Sequence, residues 1–136
     1  MTQNIKPSVW GPHGWRFLHY VSLGAPDQLN ESEANHYRNF YESLQYILPC
    51  KSCAQNYAKN IREHPIENHL KTRDDLVRWV IDIHNRVNRE LGKREYTVSE
   101  GIDSHLKLES PILKYLKKIL LLILLCYALY RLTKLK

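Results

Sequence analysis

TRDDLVRWVIDIHNRVNRELG, residues 72–92, is the stretch from which the fold can be read. Thr72 with Asp75 three residues on forms a capping box, and Gly92 is a breaker suited to the position after a last helical turn. Between them Leu76, Trp79, Val80, Ile83, His84, Val87, Asn88 and Leu91 recur at helical spacing and share one face. The same pattern holds upstream. Asn30 with Glu33 opens a helix whose stripe is Tyr37, Phe40, Tyr41, Leu44, Ile47 and Leu48, and Pro49 stops it. A helix beginning at Cys50 sets Cys53, Ala54, Tyr57 and Ile61 on one face and closes at His64-Pro65. A first short helix carries Trp15, Leu18, His19 and Ser22 and ends near Gly24–Pro26. Short loops between four such helices predict an all-α, antiparallel four-helix bundle, with a short fifth helix near Ser99–Leu106.

Composition agrees with one modest folded domain. The chain has 136 residues, and with only 5 Gly and 6 Pro it lacks the turns of a β-sandwich. Charge is informative once it is located. Residues 1–106 carry 13 Lys and Arg against 13 Asp and Glu, whereas residues 107–136 carry 7 against Glu109 alone. The tail therefore supplies the whole formal +6, and no basic patch for nucleic acid is implied on the folded part. Two units follow: a bundle over 1–106 and a basic-flanked apolar tail over 107–136.

Within the tail, Ile119–Tyr130 (ILLLILLCYALY) is apolar on all faces. Alone it would cover only about 18 Å, short of a hydrocarbon core of about 30 Å. Ile112–Leu132 would reach roughly 31 Å if Lys114, Lys117, Lys118 and Arg131 snorkel. A single-pass C-terminal membrane anchor is the expectation, with an interfacial helix its rival. Basic residues at both ends leave its orientation open. No apolar N-terminal signal segment precedes Pro7.

Three cysteines cannot pair completely within one chain, so this is no disulfide-stapled scaffold. Cys50-Lys51-Ser52-Cys53 is a C-x-x-C at a helix start, where free N–H groups and the helix dipole favour thiolate. Spacing alone leaves both a redox pair and half a zinc site open. Zinc needs two more soft ligands, and no second C-x-x-C or Cys-His cluster supplies them, so no metal is expected. Cys126, in the apolar tail, reads as a small buried hydrophobe. On the fourth helix His84 and Asn88 interrupt the apolar stripe one turn apart, with Asn85 beside them and Lys93 just past the end. His19 repeats the pattern beside Trp15. Polar groups placed in succession on a core face point to a polar ligand more than to isolated core histidines. No G-x-G-x-x-G follows a strand, so a Rossmann-type dinucleotide site is excluded.

Three segments carry a family resemblance: Trp10-Gly-Pro-His-Gly-Trp-Arg-Phe-Leu-His19, Pro49-Cys-Lys-Ser-Cys-Ala54, and Trp79-Val-Ile-Asp-Ile-His-Asn-Arg-Val-Asn-Arg-Glu-Leu-Gly-Lys93. In order and spacing they resemble the signatures of the Erv/ALR sulfhydryl oxidases, most of all the small members encoded by large DNA viruses. The resemblance implies a helical bundle, usually a homodimer, that holds FAD without a covalent bond. It implies that Cys53 lies against the flavin and that Cys50 is the outer sulfur attacked by a substrate thiolate. Gly11, Trp15, His19, Tyr57, Trp79, His84, Asn85, Val87, Asn88, Leu91, Lys93 and Tyr96 would line the cofactor. Electrons would pass from protein thiols through the cysteine pair to FAD and on to O2, giving hydrogen peroxide.

The chain departs from the family at several positions. The shuttle cysteine pair of many cellular members is missing, so electrons would arrive directly from substrate or through a thioredoxin-like relay protein. Ile81 and Val98 stand where many members carry a structural disulfide. Pro12 replaces a basic residue that would touch the pyrophosphate, and His105 aligns near an aromatic that closes over the adenine in some relatives. The viral resemblance places the protein at a virion or viral assembly membrane. Two functions of other classes remain as rivals: a membrane-tethered adaptor with a static or zinc-bound C-x-x-C, and a flavin-free disulfide-exchange relay.

Overall fold

The computed structural model describes residues 4–106, 118–125, 127 and 131. Helix α1 spans Pro7–Leu23, α2 Glu31–Ile47, α3 Lys51–Glu63, α4 Arg73–Glu90 and α5 Val98–Leu106. Contacts within the chain group Met1–His105 into one compact unit and Leu106–Lys136 into another.

Most helix ends follow the capping chemistry read from the sequence. Asn30 accepts the Glu33 N–H while the Glu33 carboxylate accepts the Asn30 N–H, both at 2.9 Å. At the start of α4 the Asp75 N–H donates to Thr72 Oγ1 at 3.1 Å. At its end, Gly92 takes the left-handed conformation, φ 64°, that lets the chain turn away. A further box opens α5, where Thr97 Oγ1 accepts the Glu100 N–H at 3.2 Å and Glu100 Oε2 accepts the Thr97 N–H at 2.9 Å.

Three details differ from the sequence reading. Helix α1 is 17 residues long and starts at Pro7, running through Gly11, Pro12 and Gly14. Pro7 sits in the first turn, where its missing N–H is not needed, and Pro12 forgoes one bond to the turn before it. A side chain at Gly14 would meet the Trp10 ring at 3.0 Å, so Gly14 lets that ring lie along the helix. Second, Ile47 and Leu91, expected on the buried stripes, are 68% and 59% exposed. Each stands where its helix ends, beyond the reach of a packing partner. Third, Ile66–His69 forms a 3-10 turn between α3 and α4 that was not foreseen, and it buries Ile66 and packs on α4.

The core runs between α1, α2, α3 and α4. Leu76, Trp79, Val80, Ile81 and Ile83 of α4 are all at most 2% exposed. Side chains of that size contribute roughly 1.5–3 kcal/mol each on burial. Three polar side chains in this core are paired with backbone of a neighbouring helix or its cap, which fixes the helices in register. Tyr41 Oη donates to the Leu18 carbonyl at 2.9 Å, Tyr57 Oη to the Tyr41 carbonyl at 3.0 Å, and Trp79 Nε1 to the His64 carbonyl at 2.9 Å. Helix α1 thus hangs on α2, and α2 on α3. The loop before α2 is tied to the start of α4 by an antiparallel bridge, Gln28 with Thr72, and by Arg73 on Asp27 at 2.7 Å.

In the second unit residues 118–125 are helical, and Ile119–Leu125 are each 51–70% exposed. Among the described residues no helix is long and apolar enough to cross a membrane. The rest of the expected span over Ile112–Leu132, Cys126 and the side chain of His105 lie outside the described residues.

Candidate active site

The C-x-x-C is a disulfide. Cys50 and Cys53 are bonded, with Cα atoms 5.2 Å apart. Cys50 is the N-cap of α3, and its sulfur accepts the Cys53 N–H at 3.2 Å. The position explains why the pair stands here. Pro49 ends the preceding segment, Cys50 is extended, and the free Cys53 N–H in the first turn of α3 points at its sulfur. Reduction would leave charge where that donor stabilises it. Ser52 Oγ also lies 3.3 Å from Cys50 Sγ. Among the described residues no group of three or more His, Cys, Asp and Glu is placed to hold a metal ion.

Cys50 is 3% exposed, whereas Cys53 is half-buried. Cys53 shares its helix face with Tyr57 one turn on. Tyr57 lines a gap too small to admit water together with Trp15, Leu18 and Trp79.

Trp15 begins a polar aromatic cluster between α1 and α4. Its ring stacks on His84, centroids 4.0 Å apart and planes 8° from parallel. His84 Nδ1 lies 3.0 Å from His19 Nε2, so one ring donates and the other accepts. Tyr96 also stands beside His84, the ring centroids 5.9 Å apart and the planes tilted by 48°. Asn85 fixes the chain leading there. Its amide donates to the Tyr96 carbonyl at 2.7 Å and accepts the Tyr96 N–H at 2.8 Å. The Lys93 N–H on the Asn88 carbonyl, 2.8 Å, folds the same segment back on the end of α4.

Of the residues expected around a ligand, Trp15, His19, His84, Asn85 and Tyr96 are brought together by direct contacts. Asn88 Nδ2 is buried without a hydrogen-bond acceptor. A buried amide left unpaired costs about 1–3 kcal/mol, so it points to a group that completes the site. Gly11 and Val87 are half-buried, and Leu91 and Lys93 are exposed. Tyr57 and Trp79 lie deeper, 4% and 1% exposed, with their polar atoms committed to backbone carbonyls. They support the cluster from behind. A separate cavity of about 310 Å³ lies among α2, α3 and α4, lined by Glu42, Arg62 and Trp79 among others, and it contains neither cysteine. Sequence reasoning missed Ser52 and the backbone bond from the Ile5 N–H to the Pro49 carbonyl at 2.8 Å. Neither is signalled by periodicity or by motif spacing.

A family model described as the Erv1/Alr family matches residues 12–107. The chain belongs to the Erv1/Alr family. Its similarity to the R368 protein of Acanthamoeba polyphaga mimivirus, named a probable FAD-linked sulfhydryl oxidase, is 40% identity over 108 residues, 79% of this chain and 76% of that protein. With the FAD-linked sulfhydryl oxidase of African swine fever virus it shares 31% identity over 97 residues, 67% of this chain and 75% of the other. Among solved structures it resembles the FAD-binding domain of Erv1 from Saccharomyces cerevisiae, at TM-score 0.69 and 27% identity. That match covers 76% of this chain and 96% of the yeast domain. The Erv1/Alr fold is therefore this bundle. FAD suits the residues present: Trp15 and His84 give a flat surface, and the orphaned Asn88 amide offers a donor to a heteroatom.

Proposed function

We propose that this Erv1/Alr protein is an FAD-linked sulfhydryl oxidase that forms disulfides in substrate proteins through Cys50 and Cys53. The observation that carries the reading is the oxidised pair at the N-terminus of α3, in a bundle whose α1 and α4 bring Trp15, His19 and His84 together and leave the buried Asn88 amide without an acceptor. FAD supplies the two-electron acceptor when bound. Trp15, His19, His84, Asn85, Asn88 and Tyr96 would hold it, with Gly11, Val87, Leu91 and Lys93 at its margin. O2 is the terminal acceptor in this proposal, and hydrogen peroxide the product.

A substrate thiolate attacks Cys50 Sγ. The Cys50–Cys53 bond breaks, a mixed disulfide forms on Cys50, and the electron pair leaves on Cys53, the sulfur on the cofactor's side. A second substrate thiolate then releases the substrate disulfide. The burial of Cys50 requires the neighbouring backbone to yield, and the Ile5 N–H on the Pro49 carbonyl is the contact beside it. Substrate reaches the pair directly or through a thioredoxin-like relay protein, since Cys126 is the only other cysteine. A homodimer and a single-pass C-terminal anchor at a virion or viral assembly membrane complete the proposal. The anchor is supported by the apolar run Ile119–Tyr130 between basic flanks.

The test is the visible spectrum of the purified chain before and after anaerobic dithiothreitol. A flavin band that bleaches with the dithiol and returns in air is expected, and Cys53→Ala abolishes the bleaching. Zinc on a colourless protein would favour the adaptor, and thiol–disulfide exchange without oxygen uptake the flavin-free relay.

A further inference from the structure

We propose that Ser52 is a catalytic hydrogen-bond donor to the Cys50 sulfur, holding its thiolate ready both to leave and to re-form the active-site disulfide. The inference rests on the oxidase reading and adds a residue to it. Ser52 Oγ lies 3.3 Å from Cys50 Sγ. In the disulfide that sulfur carries no proton, so the hydroxyl is the donor. The Cys53 N–H, at 3.2 Å, is a second donor to the same atom. Two donors converge on one sulfur, and one of them is a side chain that substitution can remove.

The bond matters because charge appears on Cys50 during each turnover. When one substrate thiolate has captured Cys50, the second attacks the substrate sulfur of the mixed disulfide. The substrate S–S bond forms, the bond to Cys50 breaks, and the electron pair stays on Cys50 Sγ. Two substrate thiolates have then become one disulfide, and the Cys50–Cys53 disulfide has become two thiolates. If a substrate instead opens the pair at Cys53, Cys50 is the leaving sulfur in the first step. In either order Cys50 departs as thiolate, and a lower-energy leaving thiolate departs faster. A hydroxyl on an anionic acceptor makes a charge-assisted bond, about twice as strong as a neutral one. Ser52 itself is exposed and on the first turn of α3, so its hydroxyl is not needed for packing.

The experiment uses the full chain, wild type, Ser52→Ala and Ser52→Thr, reduced anaerobically with dithiothreitol. Alkylation by iodoacetamide is followed against pH and read peptide by peptide in a mass spectrometer, so that Cys50 is resolved from Cys53 and Cys126. Ser52→Ala is expected to move the Cys50 midpoint up by roughly half a unit to one unit, the size of one exposed charge-assisted bond. Turnover of a dithiol at neutral pH should fall about three- to tenfold with it, and Ser52→Thr should restore both. An unchanged Cys50 midpoint in Ser52→Ala overturns the proposal, and so does a shift that Ser52→Thr fails to reverse. Alkylation needs no flavin, so these outcomes are separate from the oxidase reading. That reading is tested by bleaching of the wild-type flavin band in the same reduction.

Discussion

Asn85 spends its whole side-chain amide on the backbone of one residue, with bonds of 2.7 and 2.8 Å to Tyr96, and it is 8% exposed. Asn85→Ala would leave both Tyr96 groups without partners, at a cost of roughly 1–3 kcal/mol. It would also free the segment that puts the Tyr96 ring beside His84. The expected result is a fall in the urea midpoint together with weaker retention of FAD on gel filtration, whereas a change in stability alone would separate Asn85 from the cofactor site. His64 makes a different kind of prediction. Burial holds its imidazole below the usual 6.5, and His69 and Arg86 push the same way. Asp82 opposes them, but at 3.6 Å it stands beyond hydrogen-bond distance. With a lowered pKa in the fold, the unfolded chain takes up the proton first as pH falls. This group's contribution to stability is thus intact above about pH 6.5 and is lost as pH falls through the folded value. His64→Gln should flatten the difference between urea midpoints at pH 7.5 and 5.

Helix α5 is seated by an absence. A methyl on Gly101 would stand 2.9 Å from Cδ1 and Cγ1 of Ile81, itself 2% exposed and unable to retreat. Alanine would gain about 1 kcal/mol of helix propensity, yet overpacking a closed core costs about 1–3 kcal/mol. Gly101→Ala should therefore destabilise by about 1 kcal/mol, read as a lower melting temperature. Ile81→Val, which removes Cδ1, should recover part of that loss in the double variant, a coupling that two independent sites would not show. Such fits are hidden in a sequence, because Gly101 has no side chain to register in a periodic pattern. The elements themselves were legible: Asn30 with Glu33, Thr72 with Asp75 and Gly92 mark helix ends by local chemistry that tertiary contacts did not override. The start of α1 was not legible. Proline and glycine at positions 11, 12 and 14 argue against a helix unless one knows that the Trp10 ring occupies the space Gly14 leaves. In the site, His84 and Asn88 stand out because polar residues on an apolar stripe are conspicuous, and Asn85 stands out only as their neighbour. Ser52 does not, because a serine on an exposed first turn is ordinary until its distance to Cys50 is measured.

The two parts of the chain differ most in charge. Residues 1–106 balance 13 cations against 13 anions, while residues 107–136 set 7 cations against Glu109 around Ile119–Tyr130. A body of balanced charge has no electrostatic reason to seek an anionic surface, whereas the basic tail has one. The two proposals for that tail separate by how they are released. An interfacial helix owes much of its hold to lysines on anionic headgroups, each worth about 1 kcal/mol, and salt screens that attraction. A spanning helix is held by apolar burial that salt does not weaken. The full chain is expected to float with vesicles containing phosphatidylserine, to remain with them in 1 M salt and at alkaline pH, and to float with zwitterionic vesicles as well. A chain ending at residue 106 should stay in the soluble fraction and keep its dithiol-dependent flavin bleaching. Release of the full chain by salt would replace the anchor with an interfacial helix. Flotation of the shortened chain would move the membrane contact onto the bundle, against its balanced charge.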